Sequence, residues 1–238
     1  MQFSGKKVVV TGVTRGIGQA IAKMLIEQGA YVIGTHTGND SIKKNNCNEL
    51  IKADFSNLDE IRSCAEYICK VEPDILINNA GINKISPFIK IDSADFLLIQ
   101  QVNLFAPFSL CQAVIPGMQR KGWGRITNIS SIWGKISKEF RASYSASKFA
   151  LDGMTLALAA EHAADGILVN CVAPGFTNTE LTRKTLTEDQ INKIIATVPI
   201  RRMAKVDEIA HFVVWLCSNE NTYLTGQNIA IDGGFSRV

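Results

Sequence analysis

The chain has 238 residues, 46% hydrophobic and 20% charged, which is typical of one folded globular domain and excludes an intrinsically disordered protein. A net charge of only +3, from dispersed cations, does not indicate nucleic acid or an anionic membrane as the main partner. Six cysteines without a CxxC pair and three scattered histidines predict buried free thiols in a reducing compartment and no metal site.

The N-terminus enters an apolar run almost at once, with no leader-like segment before it. No stretch approaches the about 18 uncharged apolar residues that a membrane-spanning helix needs. We therefore expect a cytoplasmic protein without a signal peptide and without a membrane partner.

Short runs of branched apolar residues alternate with segments of helical periodicity along the whole chain. The predicted strands are 7–11, 31–35, 50–53, 74–78, 125–129, 167–173 and 228–232. The predicted helices are 17–28, 56–71 with Ser56 as N-cap, 94–120 with a bend at Pro107, 143–163, 188–196 and 206–217. Continuously apolar strands favour a parallel sheet covered on both faces. We predict one α/β domain over residues 1–238, a Rossmann-type doubly wound sheet of about seven strands.

Unusual residues follow four of the predicted strands directly. They are Thr11-Gly12, Asn78-Asn79, Ser130-Ser131 and Pro174-Gly175. Ligands of open parallel sheets bind outside the carboxyl ends of the strands. The sequence therefore predicts a binding site where these four strand ends meet.

A glycine-rich segment, Gly12-Val-Thr-Arg-Gly16-Ile-Gly18, links the first strand to the first helix. Missing side chains allow a pyrophosphate to approach the backbone, and a helix N-terminus offers N–H groups and a favourable dipole. An ordinary glycine-rich turn has the same composition. Its position between a strand and a helix favours a nucleotide loop.

Tyr144 and Lys148 are four residues apart and therefore share one face of the predicted helix 143–163. A free phenol has a pKa of about 10, and a fixed ammonium group favours the phenolate. We expect Lys148 to lower the pKa of Tyr144 toward the range of a general acid or base. An amphipathic helix with one aromatic residue and one exposed lysine shows the same spacing.

In combination these motifs resemble the short-chain dehydrogenase/reductase family. The chain carries Thr-Gly-x-x-x-Gly-Ile-Gly, Asn-Asn-Ala-Gly, Ser, Tyr-x-x-x-Lys and Pro-Gly in the family's order and spacing. The segments 198–202 and 223–234 are similar to those of bacterial 3-oxoacyl-[acyl-carrier-protein] reductases. The resemblance implies an NAD(P)-dependent oxidoreductase that reduces a carbonyl group to an alcohol by hydride transfer.

The resemblance implies a catalytic tetrad of Asn103, Ser131, Tyr144 and Lys148. Tyr144 would exchange the substrate proton, and Ser131 would hydrogen-bond the carbonyl oxygen. Lys148 would hold the nicotinamide ribose, and Asn103 would hold a water molecule that leads toward solvent. Ser131 could instead be a loop hydroxyl, and Asn103 a buried amide with ordinary partners.

The same resemblance implies a set of cofactor-binding residues. Asp54 would meet the adenine amino group, although it could instead cap the turn into the next helix. The implied set is Gly12, Thr14, Arg15, Gly16, Ile17, Gly18, His36, Thr37, Asp54, Phe55, Asn79, Ala80, Gly81, Tyr144, Lys148, Pro174, Gly175 and Thr179.

His36 follows the second predicted strand, at the position where an NAD-type site would carry an acid for the ribose 2′-hydroxyl. NADP-preferring relatives place a cation at the position of Arg15, whose planar guanidinium suits a phosphate. We expect NADP(H) to be favoured over NAD(H).

The substrate stays open. Relatives that act on carrier-bound substrates usually have basic residues where this chain has Gly122 and Asp165. A keto sugar, a steroid or a small ketone is therefore an alternative to a 3-oxoacyl thioester, and a noncatalytic nucleotide-sensing protein is a remote one. The resemblance also implies a substrate lid over residues 176–205 and a homotetramer.

Overall fold

The computed structural model describes residues 1–38, 47–180, 182 and 187–237. Residues 39–46, which precede the third predicted strand, and part of the predicted lid, including Arg183, Lys184 and Thr185, lie outside the described residues. Seven parallel strands form one sheet in the order β3-β2-β1-β4-β5-β6-β7. The strands are β1 Lys7–Val10, β2 Tyr31–His36, β3 Glu49–Lys52, β4 Ile75–Asn78, β5 Gly124–Ile129, β6 Ile167–Pro174 and β7 Asn228–Ile231.

Helices cover both faces of this sheet, as the continuously apolar strands predict. They are α1 Gly16–Glu27, α2 Leu58–Val71, α3 Ser93–Gln100, α4 Ala106–Lys121, α5 Ala142–His162, α6 Glu188–Thr197 and α7 Val206–Leu216. Strand β1 shows the two-sided burial, because Val8 and Val10 pack under α1 and α7 while Val9 packs under α2 and α4. The predicted doubly wound fold is confirmed.

The predicted N-cap of α2 is wrong by one residue. Asn57 is the cap, and its side chain accepts a hydrogen bond from the Asp59 N–H at 2.9 Å. Ser56 instead donates to the Asp54 carboxylate, at 2.7 Å from its hydroxyl. Serine and asparagine both cap helices well, and here the nearby carboxylate occupies the serine.

The predicted continuous helix 94–120 is interrupted by one wide π turn, Gln101–Phe105, between α3 and α4. The Ala106 N–H donates to the Gln101 carbonyl, five residues back. Pro107, one residue further, has no N–H to offer the Asn103 carbonyl, and this accounts for the irregularity at this point. The irregularity expected at Pro107 therefore lies about one turn before the proline, as a wide turn of the helix.

One helical run of the described chain, Ser93–Lys121, is long and apolar enough to cross a membrane. Half of its most apolar window is buried inside the protein, where α4 packs against the sheet. A buried core helix passes the same test of length and composition, so this run is weak evidence for a membrane span.

Five of the six cysteines are free and buried, as predicted. Cys69 is also free, but it is exposed, so the prediction of burial is wrong for this residue. Within the described ranges, no group of three or more histidine, cysteine or acidic side chains is placed to hold a metal ion.

Gly34 in β2 lets the glycine-rich segment pack on the sheet. A Cβ at this position would stand 2.4 Å from a methyl group of Val13. We predict that Gly34→Ala lowers the free energy of unfolding by about 1–3 kcal/mol, because it overpacks a buried contact.

Gly153 in α5 provides the matched control, since an added Cβ there meets nothing within 4 Å. Gly153→Ala should raise the free energy of unfolding by about 0.5–1 kcal/mol through helix propensity. Urea denaturation of both variants checks the pair. Equal stability of Gly34→Ala and the wild type would contradict the packing argument.

Candidate active site

The carboxyl ends of β1 and β4 are joined by hydrogen bonds at one rim of the sheet. The Thr11 hydroxyl accepts from the N–H groups of Asn79 and Ala80, each at 2.9 Å. The Asn79 side chain donates back to the carbonyls of Thr11 and Gly12 at 2.9 and 3.1 Å. These bonds hold one wall of a cavity of about 550 Å³.

The glycine-rich segment lies in this wall. Gly12 and Gly16 have φ angles of +71° and +59°, which favour glycine. A Cβ on Gly18 would stand 2.3 Å from the Gly12 carbonyl oxygen, so only glycine allows this close approach of helix and loop. Helix α1 starts here with no side-chain cap and no acid in its first turn. Its free N–H groups border the cavity and fit a pyrophosphate.

The far end of the cavity is formed by the ends of β2 and β3. The buried Nδ1 of His36 has no hydrogen-bond partner within the described part of the chain, and the exposed Arg15 also lines this space. Asp54 lines it as well, while one of its carboxylate oxygens accepts from the backbone and the hydroxyl of Ser56. Asp54 therefore caps the turn that leads into α2, which was the alternative to a role at the adenine, and it also lines the cavity.

Most of the predicted cofactor-binding residues come together around this one cavity. Gly18 packs beneath the loop. Four other predicted residues are not among the lining residues: Pro174 at the end of β6, Gly175 directly after it, and Tyr144 and Lys148 of α5. The predicted residues that do line it are Gly12, Thr14, Arg15, Gly16, Ile17, His36, Thr37, Asp54, Phe55, Asn79, Ala80, Gly81 and Thr179. Sequence reasoning missed further lining residues, which are Thr35, Ala53, Ser56, Ile82, Leu98, Val102 and Glu180.

Two hydroxyl groups meet beyond the Gly81 end of the cavity. Ser131 follows β5, and its hydroxyl accepts the Trp133 N–H at 3.2 Å. The Ser131 hydroxyl also lies close enough to the phenol of Tyr144, in the first turn of α5, to lower the pKa of that phenol. This contact brings together side chains that are thirteen residues apart, from two separate elements. A carbonyl oxygen placed between them would meet two O–H donors.

Lys148 lies one helical turn beyond Tyr144, and its side chain is buried. Its ammonium donates to the Ile129 carbonyl at 2.7 Å and stands 5.7 Å from the centre of the Tyr144 ring. Gly134 makes this packing possible, because a Cβ there would stand 2.9 Å from the Lys148 carbonyl oxygen. Burial lowers the pKa of Lys148 to about 8.

The expected lowering of the Tyr144 pKa by Lys148 is not found. Burial raises the pKa of Tyr144 above its usual value, while the hydrogen bond with Ser131 and the charge of Arg141 lower it. The ammonium of Lys148 is itself buried and turned to a backbone carbonyl. The cation that acts on the phenol is therefore one that sequence reasoning missed.

Asn103 is fully buried at the π turn and uses its amide on both sides of Ile82. It accepts from the Ile82 N–H at 2.8 Å and donates to the Ile82 carbonyl at 2.9 Å and to Ser147 at 3.1 Å. The side chain thus has the ordinary partners of a buried amide. It ties α4 to α5 and to the strand-end segment beside Gly81, where a Cβ would stand 3.2 Å from it.

A buried polar network beneath the rim holds α5 against the sheet. Asn78 donates to Asn128 at 2.8 Å, and Asn128 donates to the Thr155 hydroxyl at 2.9 Å. The Thr155 hydroxyl in turn donates to the Leu151 carbonyl at 2.9 Å. Strands β4 and β5 are therefore joined through three buried side chains to the helix that carries Tyr144 and Lys148.

Asp165, the acid that departs from carrier-protein reductases, is engaged in local contacts. It accepts from Gln119 at 2.8 Å and pairs with His162 at 3.1 Å. The nearby cations Arg120 and Lys121 pair with Glu72 and Asp74. This surface therefore presents its cations already paired.

Comparison with known proteins agrees with this geometry. Residues 12–236 match a family model described as Enoyl-(Acyl carrier protein) reductase. The 3-oxoacyl-[acyl-carrier-protein] reductase FabG of Salmonella typhimurium is 39% identical, over all of both chains.

Solved structures superpose over nearly the whole chain. A putative NAD(P) dependent gluconate 5-dehydrogenase from Beutenbergia cavernae with bound NADP is 31% identical, with a TM-score of 0.90 over 98% of this chain and 97% of that one. A 4-hydroxyisoleucine dehydrogenase complexed with NADH is 31% identical, with a TM-score of 0.91 over 97% and 98%.

The buried network generates a stability prediction. Thr155→Val keeps the shape of the side chain but leaves the Asn128 amide without its acceptor, so the free energy of unfolding should fall by about 1–3 kcal/mol. Thr155→Ser keeps the hydroxyl and should lose less. Denaturant unfolding of both variants checks this; a valine variant as stable as the serine variant would contradict it.

Proposed function

The chain belongs to the short-chain dehydrogenase/reductase family, and we propose that it is a cytoplasmic NADP(H)-dependent reductase that converts a carbonyl group to an alcohol. The observation that carries the proposal is the pair of hydroxyls of Ser131 and Tyr144 beside buried Lys148, whose ammonium would stand 3.7 Å from a Cβ on Gly81 in the lining of the cavity. When bound, the nicotinamide cofactor supplies or takes up the hydride.

The roles of the catalytic residues follow from their positions. Ser131 orients the carbonyl oxygen, and its own orientation is set by the Trp133 N–H. Tyr144 gives that oxygen its proton, or removes it in the reverse direction. Lys148, with a pKa near neutral pH, holds the nicotinamide ribose and supplies protons to the phenol. Asn103 acts by positioning α5 and the Gly81 segment, and in the proposed mechanism it also holds a water molecule that leads toward solvent.

The proposal includes NADP(H) as the favoured cofactor. The free N-terminus of α1 and its glycines take the pyrophosphate, and Asp54 faces the adenine. Arg15 and His36, whose Nδ1 has no hydrogen-bond partner among the described residues, border the position of the ribose, where β2 ends in a histidine and not in an acid. A guanidinium is suited to a 2′-phosphate, and an imidazole N–H can donate to it. The NADP-bound gluconate 5-dehydrogenase neighbour supports this choice, although another neighbour carries NADH.

The first candidate substrate is a 3-oxoacyl thioester, on the strength of the 39% identical FabG. A second candidate, a free keto compound such as a keto sugar, a steroid or a small ketone, is favoured by the paired cations and the engaged Asp165 on the surface described above. That surface offers an acidic carrier protein little net attraction.

Two further parts of the proposal concern the lid and the assembly. Residues 176–205 form the substrate lid, which Thr179 borders on the cavity side. The exposed faces of α4 and α5 carry Phe108 and Phe149, each nearly half exposed, and the preceding π turn carries Phe105. Apolar side chains of this size favour association, and we propose a homotetramer through these faces.

Tyr144→Phe should remove nearly all turnover, because the phenol proton is lost while the ring stays. NADPH consumption with an acetoacetyl thioester, keto sugars, steroids and small ketones measures it. NADPH binding, followed by fluorescence, should persist and thereby shows that the variant is folded. Full activity of this variant would refute the mechanism.

Arg15→Gln should lower kcat/KM for NADPH by about 10-fold to 100-fold, because a charge-assisted contact to the 2′-phosphate is lost. The value for NADH should change by less than about threefold, since no phosphate is involved. Lys23→Gln, which removes an exposed cation paired with Glu27 on the same helix, is the control. A wild-type preference for NADH would overturn the proposed cofactor.

A further inference from the structure

Arg141 stands immediately before α5, one helical turn ahead of Tyr144. Its guanidinium carbon lies 5.8 Å from the centre of the Trp133 ring, on the turn that follows Ser131. Its charge also reaches the phenol, since it lowers the pKa of Tyr144 against the effect of burial. Arg141 is therefore a cation beside the two hydroxyls that receive the carbonyl oxygen.

This guanidinium makes no hydrogen bond and no ion pair with the described residues. Its Nε is buried and makes no hydrogen bond, and no acidic side chain forms an ion pair with it. Other cations of this region are engaged: Lys138 pairs with Glu139 at 3.9 Å, and Lys135 donates to the Asn228 carbonyl at 2.7 Å. A half-buried, unpaired guanidinium is costly unless it meets an anion.

The position of Arg141 at the start of its helix makes an unpaired positive charge there still less favourable. The N-terminus of a helix carries a partial positive charge, and α5 has neither a side-chain cap nor an acid in its first turn. Two positive features therefore lie at the start of α5, without an acid in its first turn to balance them. A negatively charged group would satisfy both.

We propose that Arg141 binds a carboxylate carried by the carbonyl substrate, so that the substrate is a free keto acid, sugar acids included. This inference rests on the proposed carbonyl reduction and refines its substrate class. The planar fork of the guanidinium forms two parallel hydrogen bonds to a carboxylate, which orients the neighbouring carbonyl toward Ser131 and Tyr144. Methyl esters and thioesters of the same acids have no carboxylate there, and they lose this contact.

The test compares each keto acid with its neutral counterpart in wild-type enzyme and NADPH. The pairs are acetoacetate with methyl acetoacetate, levulinate with methyl levulinate, and 5-keto-gluconate with L-sorbose. Wild-type kcat/KM should favour the acid in at least one pair by about 10-fold to 100-fold, as a charged hydrogen-bonded contact implies. Arg141→Gln should lose most of that preference through KM, so that the ratio of kcat/KM for the acid to kcat/KM for its neutral counterpart falls toward one.

Two variants sharpen the comparison. Arg141→Lys keeps the charge without the fork and should retain part of the preference. Lys138→Gln removes an exposed, paired cation 6.0 Å from the same Trp133 ring and should retain all of it.

The possible failures are distinguishable. Equal losses for acids and esters in Arg141→Gln, together with a shifted pH profile of kcat, would mean that Arg141 only tunes Tyr144, and this would overturn the inference. Esters or thioesters reduced as well as acids by the wild type would also overturn it, while leaving the carbonyl reductase intact. No Tyr144-dependent turnover of any carbonyl would refute the proposed function itself.

Discussion

The close packing of α5 against the strand ends is the constraint on which the site depends. Gly134 touches the backbone of α5 at Lys148, with no room for a Cβ. Beneath it, Thr155 receives the hydrogen bond of Asn128 from the sheet. One contact sets the height of the helix above the rim, and the other sets its rotation. A helix fixed in both ways can hold a phenol against a serine hydroxyl on another element.

The parallel sheet explains why the pieces of this site are far apart in sequence and close in space. The carboxyl ends of β1, β4 and β5 contribute the glycine-rich segment, the Asn79 segment and Ser131, one after another along the sheet. The ends of β1 and β4 are joined by the bonds of Thr11, and Asn78 at the end of β4 donates to Asn128 of β5. The rim is therefore rigid, because its polar groups are paired across strands instead of being left to solvent.

Much of this could be predicted from the sequence because it depends on local patterns. Branched apolar runs gave the strands, and the glycine spacing located the loop over α1. What could not be predicted depends on distances in space. Asn57 and not Ser56 caps α2 because Asp54 lies close enough in space to accept the hydrogen bond of Ser56. Thr155 accepts a hydrogen bond because Asn128 of β5 lies against its helix. Arg141 belongs to no motif named above, although its position one turn before Tyr144 could have indicated a cation near the phenol.

The charges at the rim favour a negatively charged group near Tyr144. Arg141 and the N-terminus of α5 contribute positive potential near the Tyr144 phenol, and Arg141 has no ion-pair partner in the described chain. Burial opposes ionisation of that phenol, so the protein holds a proton donor in a positive field. Such a field stabilises an oxyanion as it forms on a carbonyl, and it also stabilises an anion bound beside it. Substrate charge and transition-state charge would then be recognised by the same set of groups.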